Sequence, residues 1–466
     1  MPFETPPDPA ASASPAPPRR QARRASLAGM LGTLVEYYDF SVYAFLAVIF
    51  APSFFPAGNP AVATLGALLV FASAYLVRPL GGIAFGWIGD RAGRRTALTA
   101  TVLLMGFASV VIGLLPTYAS IGIFAPILLV LLRLLQGFSA GGELVGALTL
   151  VAESATPRRR GLMSSLTPAG SSLGFALATG VVGATAFFVG QDAMEAWGWR
   201  IPFLLCLPLT VICLLVRVGL DESPEFERVD RQTTEGRRPV REVLRDHKAA
   251  LVVVTVLAFA LNTTGYVGLT YVAGFLRDVH GFSTAMASTL SAIVIAVSCV
   301  VGMPLGGILT DRFGRRAVCI CATATMAVLA LPMFLLMQST SDTLTIGGAY
   351  LVIMVLNGIQ TVAGFSLYTS IFPTRVRYTG TAIGHNLGLI VGGGFTPYIA
   401  AQLVLWSGQP VAPALWMIAG SIVGIIAVAA SARIQDLIPD TRSVTGPVTS
   451  ASGVPTPQPA KGTVDG

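Results

Sequence analysis

The chain has 466 residues, 53% of them hydrophobic and only 11% charged, with a mean hydropathy of +0.72. Soluble domains carry about 25% charged residues, so this composition excludes a chain whose whole surface faces water and points to one that crosses a membrane many times. The net charge of +7 is no nucleic-acid footprint, because the basic residues sit in short turns between apolar runs, and the five cysteines (Cys206, Cys213, Cys299, Cys319, Cys321) lie inside apolar segments without metal spacing or a disulfide framework.

Residues 1–26 are rich in Pro, Ala and Ser and carry Arg19, Arg20, Arg23 and Arg24, which reads as a disordered cytoplasmic arm. The apolar run that follows is too long for a signal peptide, holds Glu36 and Asp39, and lacks a small-residue cleavage site. A membrane helix needs about 20 mostly apolar residues. Such segments fall at 27–51, 62–88, 96–116, 121–147, 161–189 and 199–219, and again at 248–275, 284–309, 317–337, 345–370, 379–405 and 411–433. The spacing predicts an all-α integral membrane protein: twelve transmembrane helices in two pseudo-symmetric six-helix bundles. The expected divisions are the arm 1–26, a first bundle 27–220, a cytoplasmic linker 221–247, a second bundle 248–435 and a disordered cytoplasmic tail 436–466.

The halves share a signature. Arg78 to Arg95 reads RPLGGIAFGWIGDRAGRR, and Gly302 to Arg316 reads GMPLGGILTDRFGRR. Gly81, Gly86, Asp90, Arg91, Gly93, Arg94 and Arg95 recur 221 positions later as Gly302, Gly307, Asp311, Arg312, Gly314, Arg315 and Arg316. A repeat near half the chain length marks two related halves. Of the 30 Lys and Arg, 26 fall on one side if the helices alternate; Arg200 and Arg277 fall on the other, and Arg78 and Arg133 lie within helices. That asymmetry places both termini and the central linker in the cytoplasm.

With these motifs in hand, the chain resembles the major facilitator superfamily. GDRAGRR (Gly89–Arg95) and its copy TDRFGRR look like that superfamily's signature loop. VEYYDFSVY (Val35–Tyr43), RPLGG (Arg78–Gly82), RLLQGFSAGGE (Arg133–Glu143), WGWRIPF (Trp197–Phe203), DESPEF (Asp221–Phe226) and FPTRVRYTG (Phe372–Gly380) resemble its metabolite:proton symporter branch. That branch includes carriers of α-ketoglutarate, citrate, shikimate and proline/betaine. The resemblance implies a secondary active transporter of the plasma (inner) membrane that works by alternating access, with a site between the halves. Ser370 stands where the family usually has a glutamate, and LTPAGSSLG in segment 5 lacks a common glutamine. Substrate identity is therefore not carried over.

The candidate site residues are polar groups inside apolar segments. Glu36, Asp39 and Tyr43 fall on one face of segment 1 by their spacing of three and four. A carboxylate inside a bilayer costs about 2.5–3.5 kcal/mol, and one that alternates between dry and wet surroundings can take up and release a proton. Asp39, Glu36 and Glu143 are the expected proton carriers, and the resemblance ties Arg133 to coupling; structural ion pairing is the alternative for each. Arg78 lies about 18 Å along its helix from Asp90. An arginine there keeps its charge and needs an anion, either a carboxylate-bearing substrate or a protein partner, Asp39 or Glu143. Gln136 shares a helix face with Arg133, and Gly137, Gly141 and Gly142 permit close helix approach.

The second half brings neutral groups: Asn262 and Tyr266, Asn357 and Gln360, and His385 and Asn386. With Arg78, Tyr43 and Gln136 these make up the expected substrate-binding set, many of them equally able to serve as ordinary interhelical hydrogen bonds. Asp90, Arg91, Arg94, Arg95, Glu153, Asp311, Arg312, Arg315 and Arg316 are the expected gate, with Gly81, Gly82, Gly86 and Gly89 packing against the other half. The expectation is proton-coupled symport of a small carboxylate-bearing metabolite by a monomer in the lipid bilayer. No cofactor, metal or nucleic acid is expected; the coupling ion is the proton. A proline/betaine-type osmolyte carrier and a sugar porter are the alternatives, although sugar porters usually carry paired glutamines where this chain has NTTGY. An enzyme is disfavoured because no HExxH or Walker pattern occurs.

Overall fold

A computed structural model describes residues 19–55, 59–92, 94–141, 162, 165–218, 239–373 and 376–436. Among them the regular structure is helical throughout. In chain order the main helices are α1 (Arg19–Phe54), α2 (Pro60–Ala92), α3 (Arg94–Leu114), α4 (Phe124–Ser139), α5 (Leu166–Val189) and α6 (Cys206–Val218). The second half has α7 (Lys248–His280), α8 (Thr284–Phe313), α9 (Arg315–Ser339), α10 (Thr343–Ile371), α11 (Arg377–Ser407) and α12 (Pro413–Asp436). Nine described helices are long and apolar enough to cross a membrane, a tenth span bends by 51° between Gln191–Gly198 and Arg200–Leu215, and α3 and α4 are shorter apolar helices. Each predicted segment thus meets one described helix.

Two boundaries differ from expectation. α1 begins at Arg19, so its first residues lie in the segment expected to be a disordered arm. Arg, Gln and Ala are good helix formers, and the run starts just after Pro17 and Pro18, where a helix can begin. The linker contains a short amphipathic helix, Pro239–Asp246. Linker residues 221–238 and the tail from 437 lie outside the described residues.

Starts and stops follow local chemistry. The Ser283 side chain accepts from the Met286 amide at the start of α8, and Asp342 accepts from Leu344 and Thr345 at the start of α10, filling donors that have no partner inside the helix. Gly314 ends α8 at φ 84°, a left-handed conformation that glycine adopts without cost, and so turns the TDRFGRR stretch into α9. Large apolar side chains such as Phe107, Phe187, Phe188 and Val300 face outward, as lipid-facing positions would.

Inside each half the helices meet through glycines. A Cβ at Gly81 would strike the Phe138 carbonyl, one at Gly137 the Ala74 carbonyl, and one at Gly141 the Arg78 carbonyl, so α2 and α4 lie backbone to backbone. Their counterparts do the same: Gly302 and Gly306 of α8 face the Val355 and Ile359 backbones of α10. This corrects one expectation. Gly81 and Gly82 pack α2 against α4 of their own half, not against the other half, because small residues permit close approach without naming the partner. Between the halves, α5 lies along α8, and α2 meets α11.

Candidate substrate and coupling site

The predicted charges divide into two groups. The first lies at the seam between the halves. Arg78, about 21 Å along α2 from Ala92 at 1.5 Å per residue, is buried and pairs through Nη2 with the Glu36 carboxylate. The same nitrogen donates to the Ala140 carbonyl of α4 at 3.1 Å. Its partner is therefore Glu36, where the sequence offered Asp39 or Glu143. The guanidinium carbon lies 4.9 Å from the Phe40 ring centre and 5.5 Å from that of Tyr75.

Three contacts carry this group to the second half. The Tyr75 and Tyr266 hydroxyls hydrogen-bond at 2.9 Å. Asn386 donates to the Gly141 carbonyl at 2.9 Å. Gly394 of α11 leaves room for the Tyr75 ring. Tyr266 stacks edge-on against Phe175 of α5, 5.6 Å between centres. His385 is buried among Phe365 and Tyr368, and neither ring nitrogen makes a hydrogen bond. Both α7 and α11 pass through a π-helical stretch beside this contact, Val267–Tyr271 and Ile390–Phe395; such wider turns are frequent at functional sites.

The second group lies within the first bundle. Arg133 of α4 is fully buried, with its guanidinium carbon 4.2, 5.0 and 5.2 Å from the ring centres of Tyr43, Phe40 and Phe71. It donates to Gln136 at 2.8 Å, and Gln136 donates to Ser109 of α3 at 2.6 Å. Asp39 is buried beside Ser109 and Cys206, within electrostatic reach of Arg133. Tyr43 donates to the Ala67 carbonyl at 3.2 Å. Tyr43 and Gln136 were expected to line the substrate path; they face the interior of their own bundle. The cause is height along the helix: one turn above the seam, α1 and α4 are met by α2, α3 and Phe203 rather than by the second half.

The remaining candidates are plainly placed. Gln360 donates to the Thr264 hydroxyl and, at 3.4 Å, to Asn357, which ties α10 to α7. Asn262 donates to the Ala258 carbonyl one turn back at 2.8 Å. Asp311 accepts from the Leu162 amide at 3.2 Å, a contact between the halves. Arg312 lies over Phe313, Arg315 is exposed, and Arg316 donates to the Ser431 carbonyl of α12 at 3.2 Å. Glu143, Glu153 and the side chains of Asp90, Arg91, Arg94 and Arg95 lie outside the described residues. Phe40, Tyr75, Phe175, Ser109 and Cys206 were not singled out from the sequence. Tyr75 carried a signal, being three residues from Arg78 on the same helix face.

Comparison with known proteins fits this architecture. Residues 29–397 match the Major Facilitator Superfamily. The glycine betaine/proline/ectoine/pipecolic acid transporter OusA of Dickeya dadantii (strain 3937) is 37% identical over 417 residues, covering 87% of this chain and 82% of that one. The shikimate transporter of Escherichia coli (strain K12) is 35% identical over 407 residues, covering 86% and 93%. Among solved structures, a D-xylose-proton symporter superposes with a TM-score of 0.70 at 19% identity, over 91% of this chain and 99% of that one, a likeness of fold. With its duplicated bundles, its shared signature turn and transporter relatives along most of its length, the chain belongs to the Major Facilitator Superfamily and sits among that superfamily's metabolite transporters.

Proposed function

We propose that this transporter carries a small carboxylate-bearing metabolite by proton-coupled symport, with Arg78 as the substrate's anchor. The observation that carries the reading is a fully buried arginine at the seam of two bundles, held there by a side-chain carboxylate that an incoming one can replace. The printed substrates of the relatives, proline, betaine, ectoine, pipecolic acid and shikimate, all bear a carboxylate. Tyr266, Asn386 and His385 stand ready across the seam to add hydrogen bonds. Asn357 and Gln360 act by holding α10 against α7, and Asn262 by bonding one turn back within α7.

In this reading the proton belongs to the inner group. Asp39 and Arg133 lie within reach of one another without a contact ion pair, so Asp39 can gain or lose a proton while Arg133 stays supported by its rings. The proton is the coupling ion and no cofactor takes part. Asp311 and its contact with Leu162 close one mouth of the path, and the basic turns carrying Arg312, Arg315 and Arg316 face the cytoplasm with both termini. The protein works as a monomer in the inner membrane.

A second reading, an osmolyte carrier of the proline/betaine type, is favoured by the relatives that carry those compounds. One experiment tests both. The purified protein in liposomes, under an imposed pH gradient, is screened with carboxylates, betaines and sugars. Accumulation of a carboxylate compound that collapses with the gradient supports the proposal; accumulation of sugars alone, or indifference to the gradient, overturns it.

A further inference from the structure

The inner group is wired in one direction. A guanidinium carries only N–H donors, so the Gln136 amide turns its oxygen towards Arg133, whose Nη1 donates to Oε1 at 2.8 Å. That leaves Nε2 of Gln136 to donate to Oγ of Ser109 on α3, at 2.6 Å. A hydroxyl has one proton and two lone pairs. With one lone pair taken by Gln136, the Ser109 proton and the other lone pair remain, and the Asp39 carboxyl group lies beside them. All four side chains are buried, 0% exposed for Arg133, Gln136 and Ser109 and 1% for Asp39. Among the described residues, the charged and titratable groups that interact with Asp39 are Arg133 of α4, the Cys206 thiol of α6 and Tyr38 of its own helix.

We propose that Gln136 and Ser109 are positioning residues for proton coupling: they join Arg133 to Asp39 as a directed hydrogen-bond relay, and the Ser109 hydroxyl turns with the protonation state of Asp39. The inference rests on the reading of Asp39 as the proton-bearing group, and it adds how Arg133 acts on a carboxylate that it does not touch. With Asp39 charged, the Ser109 proton points at the carboxylate and every bond in the chain runs from Arg133 towards it. Bonds in such a chain polarise one another, the more so in a dry interior. With Asp39 protonated, its O–H donates to the free lone pair of Ser109, and the Ser109 proton swings away. The bonds from Arg133 to Gln136 and from Gln136 to Ser109 persist in both states, so no buried ion pair has to break when the proton arrives. The proton itself does not travel along the relay, whose far end is an arginine that keeps its own.

The test needs no substrate. The full-length protein in liposomes is titrated by infrared spectroscopy, and the carboxylic-acid C=O band of Asp39 is identified by its loss in Asp39→Asn. Donation to a carboxylate favours its charged form, so Ser109→Ala should raise the pH midpoint of that band by about one unit. Gln136→Leu should raise it too. The two residues act in series, so the double variant should shift no further than the larger single change, whereas independent effects would add. Ser109→Thr keeps a hydroxyl and should stay near the wild-type midpoint. Unshifted midpoints in Ser109→Ala and Gln136→Leu, shifts that add, or a Ser109→Thr midpoint as high as that of Ser109→Ala overturn the relay. If Gln136→Leu does not elute as a single species in detergent, the isosteric Gln136→Glu replaces it. That carboxylate pairs with Arg133 and accepts the Ser109 proton, so the midpoint should again rise, and an unchanged one overturns the inference. Asp39→Asn separates the two claims. If it removes no band, the reading of Asp39 and the relay fall together; if it removes the band while the other variants leave the midpoint in place, the relay alone falls.

Discussion

Glu36 and Asp39 stand one turn apart on α1, each facing an arginine from a neighbouring helix, and the two meetings differ. Glu36 touches Arg78, and Tyr75 and Gly141 beside Arg78 hydrogen-bond across to the second half. Asp39 does not touch Arg133, whose charge is instead spread over three rings and an amide inside the first bundle. Three residues rotate a helix by about 60° and raise it by about 4.5 Å, enough to change both neighbours and exposure to the seam. Phe40 divides them, its ring 4.9 Å from one guanidinium and 5.0 Å from the other. The same pair of residue types thus yields a contact that can be exchanged for a ligand in one place and a separated pair that can tolerate a change of charge in the other.

The contrast can be broken at its strongest point first. Arg78→Ala leaves Glu36 buried without its arginine, at about 3–5 kcal/mol of stability, and should reduce uptake by about 100-fold; Arg78→Lys, which keeps the charge but loses the fork, should retain part of both. Liposome uptake and thermal melting in detergent measure the two effects. Phe40→Ala removes the wall between the groups. It should cost about 3–5 kcal/mol, lower the melting temperature, and weaken both binding and coupling, whereas damage to one alone would show that the groups are independent of the ring. Asp39→Asn should separate them: substrate affinity within about 3-fold of wild type, but gradient-driven accumulation reduced by about 10-fold, with exchange retained. Equal losses in affinity and accumulation would place Asp39 in the binding site instead. The smallest change is Tyr75→Phe, which deletes the hydroxyl bridge to Tyr266 at about 1 kcal/mol. It should alter transport by a few-fold and leave Asp39-dependent coupling untouched, as read by the proton-to-substrate ratio.

Much of this was legible in the sequence because it is written in local patterns. Apolar length gave the helices, and the repeated glycines and DRxGRR turns gave the two halves. Intramembrane charges gave Glu36, Asp39, Arg78 and Arg133, since each is costly enough to stand out from its background. What was not legible depends on which helix lies opposite. Gly81 announced a close approach and not that its neighbour would be Phe138 of α4. Tyr43 and Gln136 looked like substrate contacts because polar groups on a helix face carry no label for the side they meet. The aromatic frame of Phe40, Tyr75 and Phe175 was invisible, since rings in an apolar segment read as ordinary filling until charges are found against them.

The glycine seams that join α2 to α4 have a mechanical consequence. With the carbonyls of Ala74, Arg78 and Phe138 pressed against the facing backbone, the two helices have no room to slide and form a single stiff plate. Arg78 and Ala140 therefore ride together when the bundles rock. Distance probes on α2 and α4 should report one fixed separation through the whole transport cycle, while probes on α2 and α11 report two.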